Sequence, residues 1–236
     1  MLDLDCFDAL AFDCYGTLID WETGIWGALQ PALTAHQISV TKDQALELYG
    51  ELETGVERGE YREYKTVLRL VLEGLGARLG FAPTPAELQA FSLSVKDWPA
   101  FADSPRALLA LKKKYKLAIL SNVDDDLFAF SARRLQVPFD WVITAQQLRS
   151  YKPSLNNFRQ AIARLGLPTE KILHVAQSLF HDIAPAKSLG LSTVWVNRRH
   201  DQAGFGATPP AQAQPDLEVP DLQTLASLAG MLRLTY

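Results

Sequence analysis

Cysteine is nearly absent from this chain. Cys6 and Cys14 are the only two in 236 residues. Two cysteines this close to one strand do not make a disulfide framework, so a reduced, cytoplasmic setting is expected. A basic excess is absent too. The 23 Lys and Arg stand against 27 Asp and Glu, for a formal net charge of -4, which gives no footprint for nucleic acid. Lys112-Lys113-Lys114 is the one short basic run and reads as the solvated face of a helix. No apolar stretch approaches the length of a membrane span. The N-terminus lacks a basic region followed by an apolar one, so neither a secretory signal nor a membrane partner is expected. No internal repeat is visible. What is present is ordinary globular composition, 48% hydrophobic and 21% charged, with length for one large domain or a domain plus an insert.

The stretch that organises the rest is Ala9-Leu10-Ala11-Phe12-Asp13-Cys14-Tyr15-Gly16-Thr17-Leu18-Ile19-Asp20. Ala9 to Phe12 is an apolar run that reads as a buried strand. It ends in a carboxylate, after which Gly16 permits a tight turn and Thr17 offers a hydroxyl. Open α/β sheets bind ligands at the carboxyl ends of their strands. Asp13 is therefore the candidate nucleophile, the plainer alternative being that it caps the next segment. Cys14 beside it has no evident basic partner and reads as a small buried thiol.

From about Glu22 to Trp98 the apolar spacing is helical, with no convincing strand. Trp26, Leu29 and Leu33 share a face, as do Leu46, Tyr49 and Leu52, and Val67, Leu68, Val71, Leu72 and Leu75 form another. Gly74, Gly76 and Gly80 loosen or end that last helix. Thr84-Pro85-Ala86-Glu87 opens the next with a capping box. From Asp103 onward helices and strands alternate. Strands are expected at Lys116–Leu120, Trp141–Thr144, Ile172–Ala176 and Ser192–Val196, with Leu217-Glu218-Val219 as an edge strand. Helices are expected from Ser104, over Val123–Leu135 and Leu155–Leu165, from about Asp182 to Leu189, and over Leu222–Leu232. Asp124-Asp125-Asp126 is read as favouring the positive end of its own helix dipole. The fold class is α/β, a doubly wound parallel sheet with an inserted helical segment.

Reading the strand ends in order brings out four groups: Asp13 with Tyr15 and Thr17; Ser121 and Asn122; Lys152; and Gln177, Ser178 and Asp182. One nucleophile, a hydroxyl–amide pair, a cation and a second acid can converge on one crevice. His181 is either a general base or a solvent-facing histidine. Trp21, Tyr61 and Tyr64 are candidates for the insert side of that crevice, helix core being the alternative.

These groups carry a family resemblance. Phe12-Asp13-Cys14-Tyr15-Gly16-Thr17-Leu18, Leu120-Ser121-Asn122, Tyr151-Lys152-Pro153, and Val175-Ala176-Gln177-Ser178-Leu179 with His181-Asp182-Ile183 resemble the four motifs of the haloacid dehalogenase superfamily, in order. The resemblance implies a core of residues 1–19 and 99–236 and a helical cap of residues 20–98. Phosphatases of that superfamily carry a second aspartate two residues after the nucleophile, where this chain has Tyr15, a poor proton donor for an alkoxide. They also carry a magnesium-binding aspartate where this chain has Gln177, a weak ligand for a hard cation. The sequence is thus similar to the type II 2-haloacid dehalogenases, since halide leaves without a proton.

That resemblance implies no metal and no cofactor, a small carboxylate substrate, and an ester formed on Asp13 and then hydrolysed. Lys152 keeps Asp13 ionised, and Asp182 orients Lys152 or helps activate water. Backbone N–H groups near Tyr15, Gly16 and Ser121 take the substrate carboxylate or an oxyanion, Asn122 can donate to the halide, and Thr17, Gln177 and Tyr64 line the site. A homodimer through the cap is a further expectation of the family. The chain departs from it at Gly50, where a cap arginine is expected, at Phe158 for a tyrosine, at Gln177 for a serine and at Leu179 for an asparagine. Arg58 and Arg62 are read as solvated. The competing readings are a phosphatase for a small phosphoester and a repurposed member that binds a small acid without turnover.

Overall fold

In the computed structural model, which describes residues 2–232, six parallel strands lie in the order β3-β2-β1-β4-β5-β6. They are β1 (Ala9–Phe12), β2 (Lys116–Ser121), β3 (Trp141–Thr144), β4 (Ile172–Ala176), β5 (Ser192–Val196) and β6 (Leu217–Val219). β1 is buried along its whole length, between β2 and β4, in register Phe12 to Ile119 and to Val175. Helices cover both faces, which is why these strands read as unbroken apolar runs. The chain winds outward from β1 through β2 to β3, then returns to start β4 on the other side. The order therefore reverses beside β1, and the ends of β1, β2 and β4 flank that switch point.

Between β1 and β2 lie α1 (Trp21–Ala35), α2 (Lys42–Glu57), α3 (Tyr64–Leu79) and α4 (Pro85–Ser92). Their starts follow local chemistry. Asp20 accepts from the Thr23 amide at 3.1 Å, and Thr41 with Gln44 and Thr84 with Glu87 form capping boxes. Helix α3 has no cap of its own. The buried Asp124 supplies it from across the molecule, accepting the Tyr64 and Lys65 amides at 2.8 and 3.1 Å. The acidic triplet stands at the N-terminus of the helix that begins at Asp125, as expected from the dipole, and it also serves distant partners: Asp124 caps α3, Asp125 accepts from Thr144 Oγ1 at 2.6 Å, and Asp126 pairs with Lys65 at 2.8 Å.

Other expectations shift with tertiary packing. The inward face of α2 runs Leu46, Tyr49, Glu53, while Leu52 is only half-buried. Only Gly80 ends α3, in a left-handed conformation at φ 84; Gly74 and Gly76 lie inside the helix. After β2, helix α5 (Ser104–Leu111) having preceded it, α6 starts at Asp125 and runs to Leu135. A short helix α7 (Ala145–Leu148) precedes α8 (Leu155–Leu165). The helix expected from Asp182 is a π-helical turn, Leu179–Ile183, followed by α9 (Ala184–Ser188). The last helix, α10 (Leu222–Leu228), is shorter than its apolar pattern, because the Met231 amide turns back to the Ala226 carbonyl at 2.8 Å. One apolar cluster joins the sheet to the insert, from Phe12 and Ile119 through Leu18 to Ile25, Leu46 and Leu68.

Candidate active site

Asp13 extends β1 by one residue, its amide donating to the Val175 carbonyl at 3.1 Å. The following turn passes through Gly16 at φ 88, a conformation that disfavours a side chain. A Cβ there would also press on Trp21 at 3.0 Å and Gln177 Oε1 at 3.1 Å. The turn places Thr17 Oγ1 to donate to Asp13 Oδ2 at 2.7 Å and to accept the Gln177 amide at 2.9 Å. Arg198, after β5, holds the turn from behind. Its guanidinium donates to the Thr17 carbonyl at 2.9 and 3.2 Å and pairs with Asp103 at 2.9 Å.

Lys152 joins three strand ends. It is 1% exposed, and its ammonium donates to Asp13 Oδ1 at 2.8 Å, Asp182 Oδ1 at 2.7 Å and the Leu120 carbonyl at 3.0 Å. All three protons are committed. Burial works against this charge, yet the two carboxylates hold the ammonium above its usual range. Burial likewise opposes ionisation of Asp182, but Lys152 and His174 keep its carboxyl below the ordinary carboxylate range. Burial pushes the Asp13 carboxyl upward, Asp182 adding to the effect and Lys152 opposing it. His174, buried in β4, approaches Asp182 Oδ1 with Nε2 at 2.8 Å. The result is an ammonium held between two carboxyl groups, with Asp13 tethered on both oxygens.

The remaining expected residues divide. Ser121 lines the same pocket, and its Oγ is buried without a partner, as is Asp182 Oδ2. The amides of Tyr15 and Asn122 donate to no acceptor among the described residues. The Gly16 amide is different: it donates to the Ile19 carbonyl at 2.8 Å, so it is removed from the anion-binding set. Asn122 is also spent. Its Oδ1 accepts the Lys152 amide at 2.8 Å, and its Nδ2 donates to the Lys152 carbonyl at 3.0 Å and Glu57 at 3.2 Å, which leaves no proton for a departing halide. Tyr15 lines the pocket, but its hydroxyl turns away to Ser131 at 2.9 Å. Gln177 Oε1 accepts from Thr208 at 3.1 Å. Among the described residues no three His, Cys, Asp or Glu are grouped to hold a metal.

The insert closes the pocket with Trp21, Tyr64, Glu53 and Glu57. Tyr49 and Tyr64 both donate to Glu53 Oε1, at 2.7 and 2.6 Å. Burial pushes the Glu53 carboxyl up to about 7 against those two hydrogen bonds, and it raises Glu57 well above its ordinary value. His181 is buried, so the solvent-facing reading is corrected. Burial pulls its imidazole down to about 4, and the ring is neutral at pH 7. Tyr61 does not line this pocket; it stacks on Tyr151 with centroids 5.5 Å apart. Arg58 and Arg62 are exposed. A Cβ on Gly50 would collide with the Ala207 carbonyl. The loop carrying Ala207 and Thr208 therefore occupies the space that a longer side chain at position 50 needs.

Glu53 sets a pH signature for stability. Below about pH 4.5 the carboxyl is protonated folded or unfolded. As pH rises through about 7 the unfolded chain ionises first, so this residue's contribution is lost. The expected slope is about 1.4 kcal/mol per pH unit for one such group. Glu53→Gln is expected to match the wild type in urea unfolding at pH 4.5 and to exceed it at pH 8; equal wild-type and variant stabilities at both would refute the assignment.

Glu53, Glu57, His174, Arg198 and Thr208 were not among the candidates from sequence. The first two had a signal: Leu46, Tyr49, Glu53 and Glu57 follow a 3-4-4 spacing that puts the acids on the buried face of α2. His174 stood in an otherwise apolar strand. Arg198 and Thr208 carry no local signal, since their partners lie far away in the chain.

Residues 7–190 match the family described as haloacid dehalogenase-like hydrolase. Among curated relatives, the chain is 29% identical over 233 residues to the (S)-2-haloacid dehalogenase of Pseudomonas sp. (strain YL), covering 95% of each protein. It is 27% identical over 213 residues to (S)-2-haloacid dehalogenase 4A of Burkholderia cepacia, covering 87% of this chain and 90% of that one. In fold it resembles the L-2-haloacid dehalogenase of Xanthobacter autotrophicus, with a TM-score of 0.80 at 23% identity over 96% of this chain and 100% of the other.

Proposed function

The chain belongs to the haloacid dehalogenase-like hydrolases, and from that premise we propose that Asp13 displaces halide, without a metal, from a small 2-halo carboxylic acid. The observation that carries this reading is the buried Asp13–Lys152–Asp182 cluster. Lys152 favours the ionised, nucleophilic form of Asp13 by its charge. An Asp13 oxygen forms a bond to C2 as the carbon–halogen bond breaks, and the halide leaves with the bonding pair. Water then attacks the carboxyl carbon of the Asp13 ester. Asp182 Oδ2, free of other partners, takes the water proton. As the adduct collapses, the C2–O link to the Asp13 carboxyl carbon breaks, the proton held on Asp182 passes to the departing C2 oxygen to give the 2-hydroxy acid, and Asp13 keeps one oxygen from water and loses its own proton to solvent. Ser121 Oγ and the Tyr15 and Asn122 amides hold the substrate carboxylate, and residues 20–98 act as the cap over the site.

The donor set supports halide over phosphoester. Thr17 and Lys152 occupy the oxygens of Asp13, and Gln177 Oε1 is bound to Thr208. No residue stands ready to protonate an alkoxide at the Tyr15 position, whose hydroxyl is bonded to Ser131. The test is single-turnover hydrolysis of 2-chloropropionate and chloroacetate in oxygen-18 water with chelator present. Halide release with label entering the Asp13 peptide is the expected result. Absence of both halide and label removes haloacids as substrates.

A further inference from the structure

Glu53 and Glu57 have no role in the chemistry above, yet they line the pocket that contains Asp13. They stand one helical turn apart on α2, so their side chains share a face. Among the described residues no ammonium or guanidinium donates a hydrogen bond to either; their donors are Tyr49, Tyr64 and Asn122. Among the described residues Lys152 is the only Lys or Arg lining the pocket, and its three protons go to Asp13, Asp182 and the Leu120 carbonyl. His181 is neutral there. Acceptors are in surplus: Glu57 Oε1 is buried without a partner, and so is Oδ2 of Asp182, itself 1% exposed. A buried acceptor without a donor is destabilising, and a ligand supplying N–H groups relieves that cost. Trp21 and Tyr64 line the same pocket, and aromatic rings favour a cation on their faces. A metal ion is the poorer occupant, because among the described residues no three carboxylate, thiol or imidazole groups converge.

We propose that Glu53 and Glu57 are specificity-determining residues that receive a protonated amine on the substrate, adjacent to the carbon that Asp13 attacks. This rests on Asp13 being the nucleophile of the pocket. The substrate class is then a small amino-substituted 2-halo acid. Its carboxylate sits at Ser121 and the free amides, and its ammonium sits toward α2. A second carboxylate in that position finds no cation to pair with, because the three protons of Lys152 are already given to Asp13, Asp182 and the Leu120 carbonyl.

Calorimetric binding of unreactive analogues to the wild-type protein tests the proposal apart from turnover. The three ligands are 3-aminopropionate, propionate and succinate. The amine is expected to bind at least about tenfold tighter than propionate, equivalent to about 1.4 kcal/mol, with succinate weakest. Glu53→Gln and Glu57→Gln, with folding checked by circular dichroism, are expected to bring the amine-to-propionate ratio to within about threefold. Equal or tighter binding of propionate or succinate, no measurable binding of the amine, or an unchanged ratio in both variants overturns it. Halide release from 3-amino-2-chloropropionate and 2-chloropropionate is then measured separately. A preference for the amine with halide from neither compound keeps the acid wall and removes the dehalogenase reading. Halide from 2-chloropropionate with no preference does the reverse.

Discussion

Asp13→Asn is expected to abolish turnover, lowering kcat by about 10⁴-fold or more, as for enzymes stripped of their covalent nucleophile. The amide carries no charge and does not attack carbon at a useful rate. The fold is expected to survive, because an Asn oxygen can still accept from Lys152 or Thr17, which now hold Asp13 at 2.8 and 2.7 Å, and Lys152 retains Asp182 and the Leu120 carbonyl. Removing Asp13 also removes a carboxyl that burial pushes upward, so little stability is at stake. Halide release and oxygen-18 entry into the residue-13 peptide are the measurements. Retained halide release would mean that another group, such as water, attacks the substrate directly, and the ester mechanism would fall.

Lys152→Met is expected to damage folding and activity together. The methionine fills much of the lysine's volume but leaves Asp13 and Asp182 buried with no cation between them. Removing one partner of a buried ion pair typically costs about 3–5 kcal/mol. The pH dependence distinguishes this cause from poor packing. In the wild type, Lys152 and His174 hold Asp182 below its ordinary range. Its contribution is therefore present above pH 3.8 and lost as pH falls through the lowered value. In the variant the carboxyls are raised instead, so stability is retained at low pH and lost as pH rises. Urea unfolding should show the variant nearest to wild type around pH 4 and furthest at pH 8. A deficit constant across that range would assign the loss to packing. Arginine is not a conservative replacement here, because its planar fork does not reproduce three donors converging on one nitrogen.

Much of this arrangement was legible in the chain. Most of the candidate groups of the core come after a short apolar run that reads as a buried strand, and strand, turn and cap are settled over a few residues. Asp13 after Phe12, Ser121 after Leu120 and Asp182 after β4 were placed by that local pattern, and Thr84 with Glu87 announced its own helix start.

Tertiary structure decided which groups face one another. Which protons remain free is an example: the Gly16 amide and the Asn122 side chain read as available donors until their partners, Ile19, Lys152 and Glu57, were in place. The burial of Glu53 and Glu57 depends on how α2 packs against α3, and α3 is held by Asp124, about sixty positions away. The occupation of the space beside Gly50 by Ala207 joins segments still further apart. Strand ends are set by interactions within a few residues, so the sequence determined where Asp13 and Ser121 stand and that Lys152 and Asp182 follow β3 and β4. The pocket's charge is a sum over distant segments, so only packing could determine what Asp13 meets.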